Sequence, residues 1–228
     1  MKSDAIVLAM QDIRRQCRLA MNGVASTSMR EKGLSYKLNF GLMQSQIRTI
    51  ASSYAPDRLL AEALWNENTR ELKIMATMLY PVETFSADEA EVWVRGVCNQ
   101  EIREQVCLNL FSRLSFAEDA ARKWANDSDS NIRLTGYWLL GRLFVSRRMH
   151  NIPDLSTCGY IASDLTGNNL FMRNAALLIL KYIGRQSKEK ANEILNAVSY
   201  CKDSADPFKS EIYDDLLFEF EYYFDSKQ

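Results

Sequence analysis

The chain has 228 residues, 47% of them hydrophobic, enough for a continuous core within the usual size of a single domain. No window approaches the roughly 18 consecutive apolar residues of a membrane helix, and residues 1–23 break their apolar positions with Asp12, Arg14, Arg15 and Arg18. A membrane span and a secretory leader are therefore not expected, and a cytoplasmic location is. The net charge of −1 is uneven: residues 203–228 hold eight acids against Lys209 and Lys227, which leaves +5 on the rest and is compatible with a basic face.

Only 4 prolines and 9 glycines occur, and they fall mainly between apolar-periodic segments, so the expected fold is all-α with little room for strands. Ile6, Met10, Ile13, Cys17 and Met21 recur at helical spacing and predict a first helix over 5–21. A loop about 23–32 follows, then a helix over 42–54 that ends before Pro56. From there the pattern predicts helix pairs: 57–66 with 69–80, 87–97 with 99–114, 116–126 with 131–147, 154–165 with 169–185, and 187–201 with 207–225. Asp57, Ser86, Asp154 and Ser187 supply caps or acids at predicted helix starts. One domain, 1–228, is expected: N-terminal helices over 1–55, a repeat array over 56–201 and an acidic capping helix over 202–228.

The second helix of four successive pairs opens with an apolar residue followed by a base: Leu72-Lys73, Ile102-Arg103, Ile132-Arg133 and Met172-Arg173, at spacings of 30, 30 and 40. Recurrence at a fixed phase is the signature of a stacked array, in which each unit buries its apolar face against its neighbours, here an α-α superhelix (solenoid) of HEAT-like pairs. Lining a concave face, the four bases would form a positive stripe for phosphate. Bridging to acids of adjacent repeats is the equal alternative.

No phosphate-binding glycine loop, metal-spaced cluster or nucleophile signature occurs, so no cofactor and no metal are expected. The five cysteines are widely spaced without a C-x-x-C pair and are read as small buried apolar residues; His150, the one histidine, is read as a loop or helix-end residue. Trp65 and Trp124 are read as packing between layers rather than as platforms for bases. Gln100 and Glu104 lie four apart, hence on one face of their helix, where a carboxylate can meet a cation.

Several stretches, in order and spacing, resemble the AlkD-type DNA glycosylases, HEAT-like solenoids that remove cationic alkylated purines. They are Phe40-Gly41-Leu42 leading to Ile47-Arg48-Thr49-Ile50-Ala51, Leu60 to Asn66, Glu71-Leu72-Lys73-Ile74-Met75-Ala76, Val97 to Phe111, Lys123-Trp124, and Met172 to Gly184. The resemblance implies double-stranded DNA held on a concave basic face, with an aspartate stabilising the sugar cation of bond cleavage. The family's Trp-Asp-x-x-Asp motif falls on Gln100, Glu101 and Glu104, so Glu104 takes the catalytic position. A family arginine falls at Leu134 and a second tryptophan at Leu178. With the tryptophans go cation–π contacts of about 0.5–2 kcal/mol each.

The resulting expectation is a DNA alkylation repair relative that binds duplex DNA through Lys73, Arg103, Arg133, Arg173 and Lys181, with alkylpurine excision impaired. The second reading is a non-catalytic HEAT-repeat scaffold for a protein partner, favoured by the acidic, aromatic end 219–225.

Overall fold

The structure, a computed structural model, describes residues 2–150, 153–155 and 158–225. Seven of its helices start where a short polar side chain accepts an amide that has no intrahelical partner. Asn22, Asp57, Ser86, Asn99, Asp129, Asn169 and Ser187 each do so, and Ser86 completes a reciprocal capping box with Glu89. Thirteen α-helices result among the described residues: α1 (Lys2–Leu19), α2 (Gly23–Glu31), α3 (Gln44–Ala51), α4 (Arg58–Trp65), α5 (Arg70–Leu79), α6 (Ala87–Arg95), α7 (Gln100–Asn109), α8 (Ala117–Ala125), α9 (Ser130–Val145), α10 (Ile161–Leu165), α11 (Leu170–Gly184), α12 (Lys188–Ala197) and α13 (Pro207–Asp225). The all-α expectation is met; an isolated bridge between Leu38 and Thr69 is the β pairing among the described residues. No helix there is long and apolar enough to cross a membrane.

The predicted pairs correspond to α4 with α5, α6 with α7, α8 with α9, α10 with α11, and α12 with α13, with three differences. The segment expected as a loop over 23–32 is the helix α2, capped by Asn22 and tied down by the Ser26 hydroxyl, which donates to the Asn39 carbonyl. Ser26 is its buried residue, so there was no apolar period to read. The helix expected over 154–165 is the short α10; residues 156 and 157 lie outside the described residues, and Asp154 pairs with Lys190 instead of capping. The helix expected over 99–114 stops at Asn109, where Leu110 leaves helical geometry and Phe111–Arg113 forms a 3-10 turn.

The chain forms two compact units, Met1–Leu114 and Ser115–Gln228. In the first, α5 packs between α3 and α7 and forms a hairpin with α4, while α1 lies against α3 and α4. The core of this unit is aromatic. Trp65 of α4 stacks on Trp93 of α6 at 4.2 Å, and Tyr80 and Phe85 meet the Trp93 ring edge-on at 5.4 and 5.3 Å. Such pairs add about 0.5–1.5 kcal/mol each beyond the area they bury. The N-terminal helix is fastened by Tyr54, whose hydroxyl donates to Asp12; that bond, with others from Arg15 and Gln16, holds the Asp12 carboxyl down to about 2.

In the second unit α8 and α9 form a hairpin, α9 packs on α11, and α11 on α12 and α13. Contact between α8 and α9 is close enough that a Cβ on Gly136 would sit 2.2 Å from the Ala125 nitrogen, so glycine is required there by packing. Trp124 is fully buried at this crossing. At Gly184 an added Cβ would fall 2.2 Å from Phe220 Cζ of α13, so that ring would have to move. Trp65 and Trp124 are thus packing residues, as expected. Of the cysteines, Cys17, Cys107, Cys158 and Cys201 are buried, but Cys98, in the loop before α7, is exposed.

Candidate nucleic-acid interface

Lys73, Arg103, Arg133 and Arg173 are each the fourth residue of their helix, in α5, α7, α9 and α11. That position points them back toward the preceding helix. Lys73 Nζ donates to the carbonyl of Trp65, the last residue of α4, and lies 4.6 Å from the Trp65 ring centroid. Arg133 Nη1 donates to the carbonyls of Asp127 and Ser128, just past α8, at 2.7 and 3.2 Å. Arg173 Nη1 donates to the Gly167 carbonyl past α10 at 3.1 Å. A cation at these carbonyls satisfies acceptors that the helix leaves unpaired and meets the negative end of its dipole. The recurrence seen in the sequence is therefore matched by a recurring hydrogen bond from the second helix of a pair to the end of the first.

Arg133 is further engaged: its Nε and Nη2 donate to Asp164 at 2.7 and 2.9 Å, and Tyr137 donates to the same carboxylate. The bond to Asp164 holds the guanidinium pKa above its ordinary value. Arg103 is 3% exposed and donates to Gln100 Oε1 at 2.7 Å. Burial pushes both Arg103 and Lys73 below their ordinary values. Lys181 of α11 pairs with Asp215 at 2.8 Å and lies 3.8 Å from Glu219, both on α13, and Arg185 pairs with Glu219 at 2.6 Å. Acids of the last helix are thus paired with Lys181 of α11 and with Arg185 just past its end.

On α7, Gln100 and Glu104 are brought together as the spacing predicts. Gln100 Nε2 donates to Glu104 Oε1 at 2.9 Å, and Glu104 is exposed. An amide therefore lies beside the carboxylate at the place where the resemblance calls for an aromatic ring. Leu134 is buried in α9, and Leu178 stands 39% exposed on α11. Neither side chain can donate a hydrogen bond or offer a ring to a cation.

Between them in sequence, Glu101 turns inward to a network that the sequence did not disclose. Arg70, 2% exposed at the start of α5, donates to Glu101 through Nε at 2.8 Å and Nη2 at 2.7 Å, and through Nη1 to the Leu42 carbonyl and to Glu71. Glu71, fully buried, accepts the amides of Phe40 and Leu42. Burial opposes the Arg70 charge, yet Glu101 and Glu71 more than offset it and raise its pKa. Gly41, at φ +75°, carries the chain through this turn, and a Cβ there would strike the Asn22 carbonyl oxygen at 2.2 Å. The stretch Phe40-Gly41-Leu42 is thereby locked to the first turns of α5 and α7, which fixes the face that carries Glu104.

That face continues into a groove of about 480 Å³ across the ends of α3, α5 and α7, lined by Arg48, Ser52, Met78, Leu108, Asn109 and Arg113. Leu108 is one turn beyond Glu104 on the same stripe of α7. Among the described residues, Arg48 has no side-chain partner, Arg113 bonds only the Asn109 carbonyl, and no carboxylate lines the groove. Arg48 was part of the family resemblance, but nothing in its spacing marked it as a contact, and Arg113 carried no signal.

The succession of helix pairs, with a base at the fourth position of the second helix in four of them, is that of an all-α repeat protein of the HEAT type. The model of the DNA alkylation repair enzyme family matches residues 24–198, and the chain belongs to that family. A solved structure described as "A new family of proteins related to the HEAT-like repeat DNA glycosylases with affinity for branched DNA structures" is similar in fold. Its TM-score is 0.67 at 16% identity, with 91% of this chain and 93% of that one covered. None of the curated proteins matches the chain.

Proposed function

We propose that the protein binds DNA, duplex or branched, as a member of its family that does not excise alkylated purines. The observation that carries the reading is Glu104: an exposed carboxylate hydrogen-bonded to Gln100, with Gln100 and Leu178 at the positions where the resemblance calls for aromatic rings. Stabilising a developing cation depends on fixed charge in a site from which water is excluded, and an exposed acid meets high dielectric instead. A glutamate also reaches one methylene further than aspartate, and misplacement by about an ångström costs roughly 10²-fold in rate. Phosphate contact is supported by Arg48 and Arg113 in the acid-free groove. Lys73, Arg103, Arg133, Arg173 and Lys181, the bases first expected to carry it, act in this reading mainly through the fold, because their donors are engaged within the chain. The affinity for branched DNA of the similar structure supports including junctions among the ligands.

The test is incubation with a duplex containing one N7-methylguanine, followed by chromatography for free base. The expected result is no release above the buffer control, in the wild type and in Glu104→Gln alike. Release by the wild type that Glu104→Gln abolishes would overturn the reading and make Glu104 a catalytic residue.

A further inference from the structure

The second unit carries a groove of opposite character. Between α11 and α13 lies a cavity of about 640 Å³ with Leu177, Phe208 and Phe218 among its walls and Glu211, Asp214 and Asp215 along its α13 side. Asp215 is already paired with Lys181, but Glu211 and Asp214 are exposed and have no cation partner among the described residues. Arg173, the one base in the lining, is held with its guanidinium 4.0 Å from the Phe208 ring centroid and its Nη1 on the Gly167 carbonyl.

Glu211, Asp214, Phe218, Glu221 or Tyr222, and Asp225 follow one another at spacings of three and four along α13, so they form one stripe on the helix. Ile212, Leu216 and Phe220, on the other side, are buried. Phe218 and Tyr222 are 69% and 67% exposed, with ring centroids 6.3 Å apart and nearly parallel planes. A stripe that only capped the array would need polar residues alone. Two large aromatic rings held in solvent beside unpaired acids are instead the composition of a binding surface, with apolar anchors inside a charged rim.

We propose that the α11–α13 groove binds a cationic polypeptide segment, rich in Lys or Arg and bearing one apolar side chain. The apolar side chain enters between Phe208, Leu177 and Phe218, and its flanking cations pair with Glu211 and Asp214. Charge decides the class of occupant. The lining carries three carboxylates against one engaged guanidinium, which repels a phosphate backbone and attracts a basic chain. The inference is independent of DNA binding, since it uses residues of the other unit.

The experiment is fluorescence anisotropy of the full chain with a short labelled peptide in which Lys and Arg flank a central Leu. An oligolysine of equal charge and an acidic peptide are measured beside it. The proposal expects saturable binding of the first peptide, weaker binding of oligolysine and none of the acidic one. Glu211→Gln with Asp214→Asn should weaken binding by about tenfold, and so should Phe218→Ala, both being exposed positions whose replacement leaves the core intact. Glu83→Gln, an exposed acid in the first unit, should change nothing. Failure of the Leu-bearing peptide to bind, or binding that neither variant weakens, would overturn the proposal. So would equal binding of oligolysine, because the apolar walls would then have no part.

Discussion

Replacing Arg70 with alanine should lower the unfolding free energy by about 3–5 kcal/mol, the usual cost of removing one partner from a buried ion pair. The reason is the company that Arg70 leaves behind. Glu71 is fully buried, and Arg70 supplies the positive charge that faces it, together with donors to Glu101 and to the Leu42 carbonyl. Without the guanidinium, a buried carboxylate is left with the amides of Phe40 and Leu42 but no countercharge, a buried carbonyl loses its donor, and such groups carry a desolvation penalty of about 1–3 kcal/mol or more each. Urea denaturation of the variant beside the wild type measures the effect. A loss below about 1 kcal/mol would mean that water or a neighbouring side chain takes over, and that the network does not lock residues 40–42 to α5 and α7.

Arg133→Ala is the second large effect, expected at about 3 kcal/mol on the same argument, since Asp164 is buried and accepts two of the arginine's hydrogen bonds. Each carboxylate keeps other donors, the Tyr137 hydroxyl for Asp164 and two amides for Glu71, but Asp164 is 8% exposed where Glu71 is fully buried, so the loss should be smaller than at Arg70. Denaturation measures the stability, and a duplex-binding titration normalised to folded protein measures the function. The geometry predicts a less stable protein with unchanged DNA affinity. Intact stability with affinity reduced for every sequence alike would instead make Arg133 a phosphate contact.

These two residues show what the sequence disclosed and what it did not. Helix pairing was legible because it depends on local features: apolar residues at helical spacing, and Asp57, Ser86 and Ser187 at helix starts. Helix α2 was not, because its one buried residue is a serine and its anchor, the Asn39 carbonyl, lies thirteen residues on. The repeated base was visible as a pattern, and its partners were the open question. A base at the fourth position of a helix that follows a short loop can reach the carbonyl ends of the helix before it, and in α5, α9 and α11 it does. Nothing in a linear pattern distinguishes that arrangement from a stripe facing solvent.

The candidate site was half legible. The four-residue spacing of Gln100 and Glu104 predicted their contact, and the family resemblance marked the positions. Arg48 and Arg113 escaped notice because a groove is made by helix ends that are distant in sequence, and an isolated arginine at either place looks like any solvated base. The inward turn of Glu101 was hidden for a related reason. It depends on Arg70, thirty-one residues away, entering the core at a helix start that reads as ordinary polar surface.

The most direct test of DNA binding through the first unit is fluorescence anisotropy with a short labelled duplex, titrated at low and moderate salt with the wild type and with an Arg48→Ala, Arg113→Ala double variant. Each phosphate contact contributes about −0.9 to the slope of log affinity against log salt. The account predicts wild-type binding that weakens steeply with salt, and a double variant that binds more weakly with a slope shallower by about two contacts. No binding by the wild type at low salt would contradict it, as would a double variant indistinguishable from the wild type.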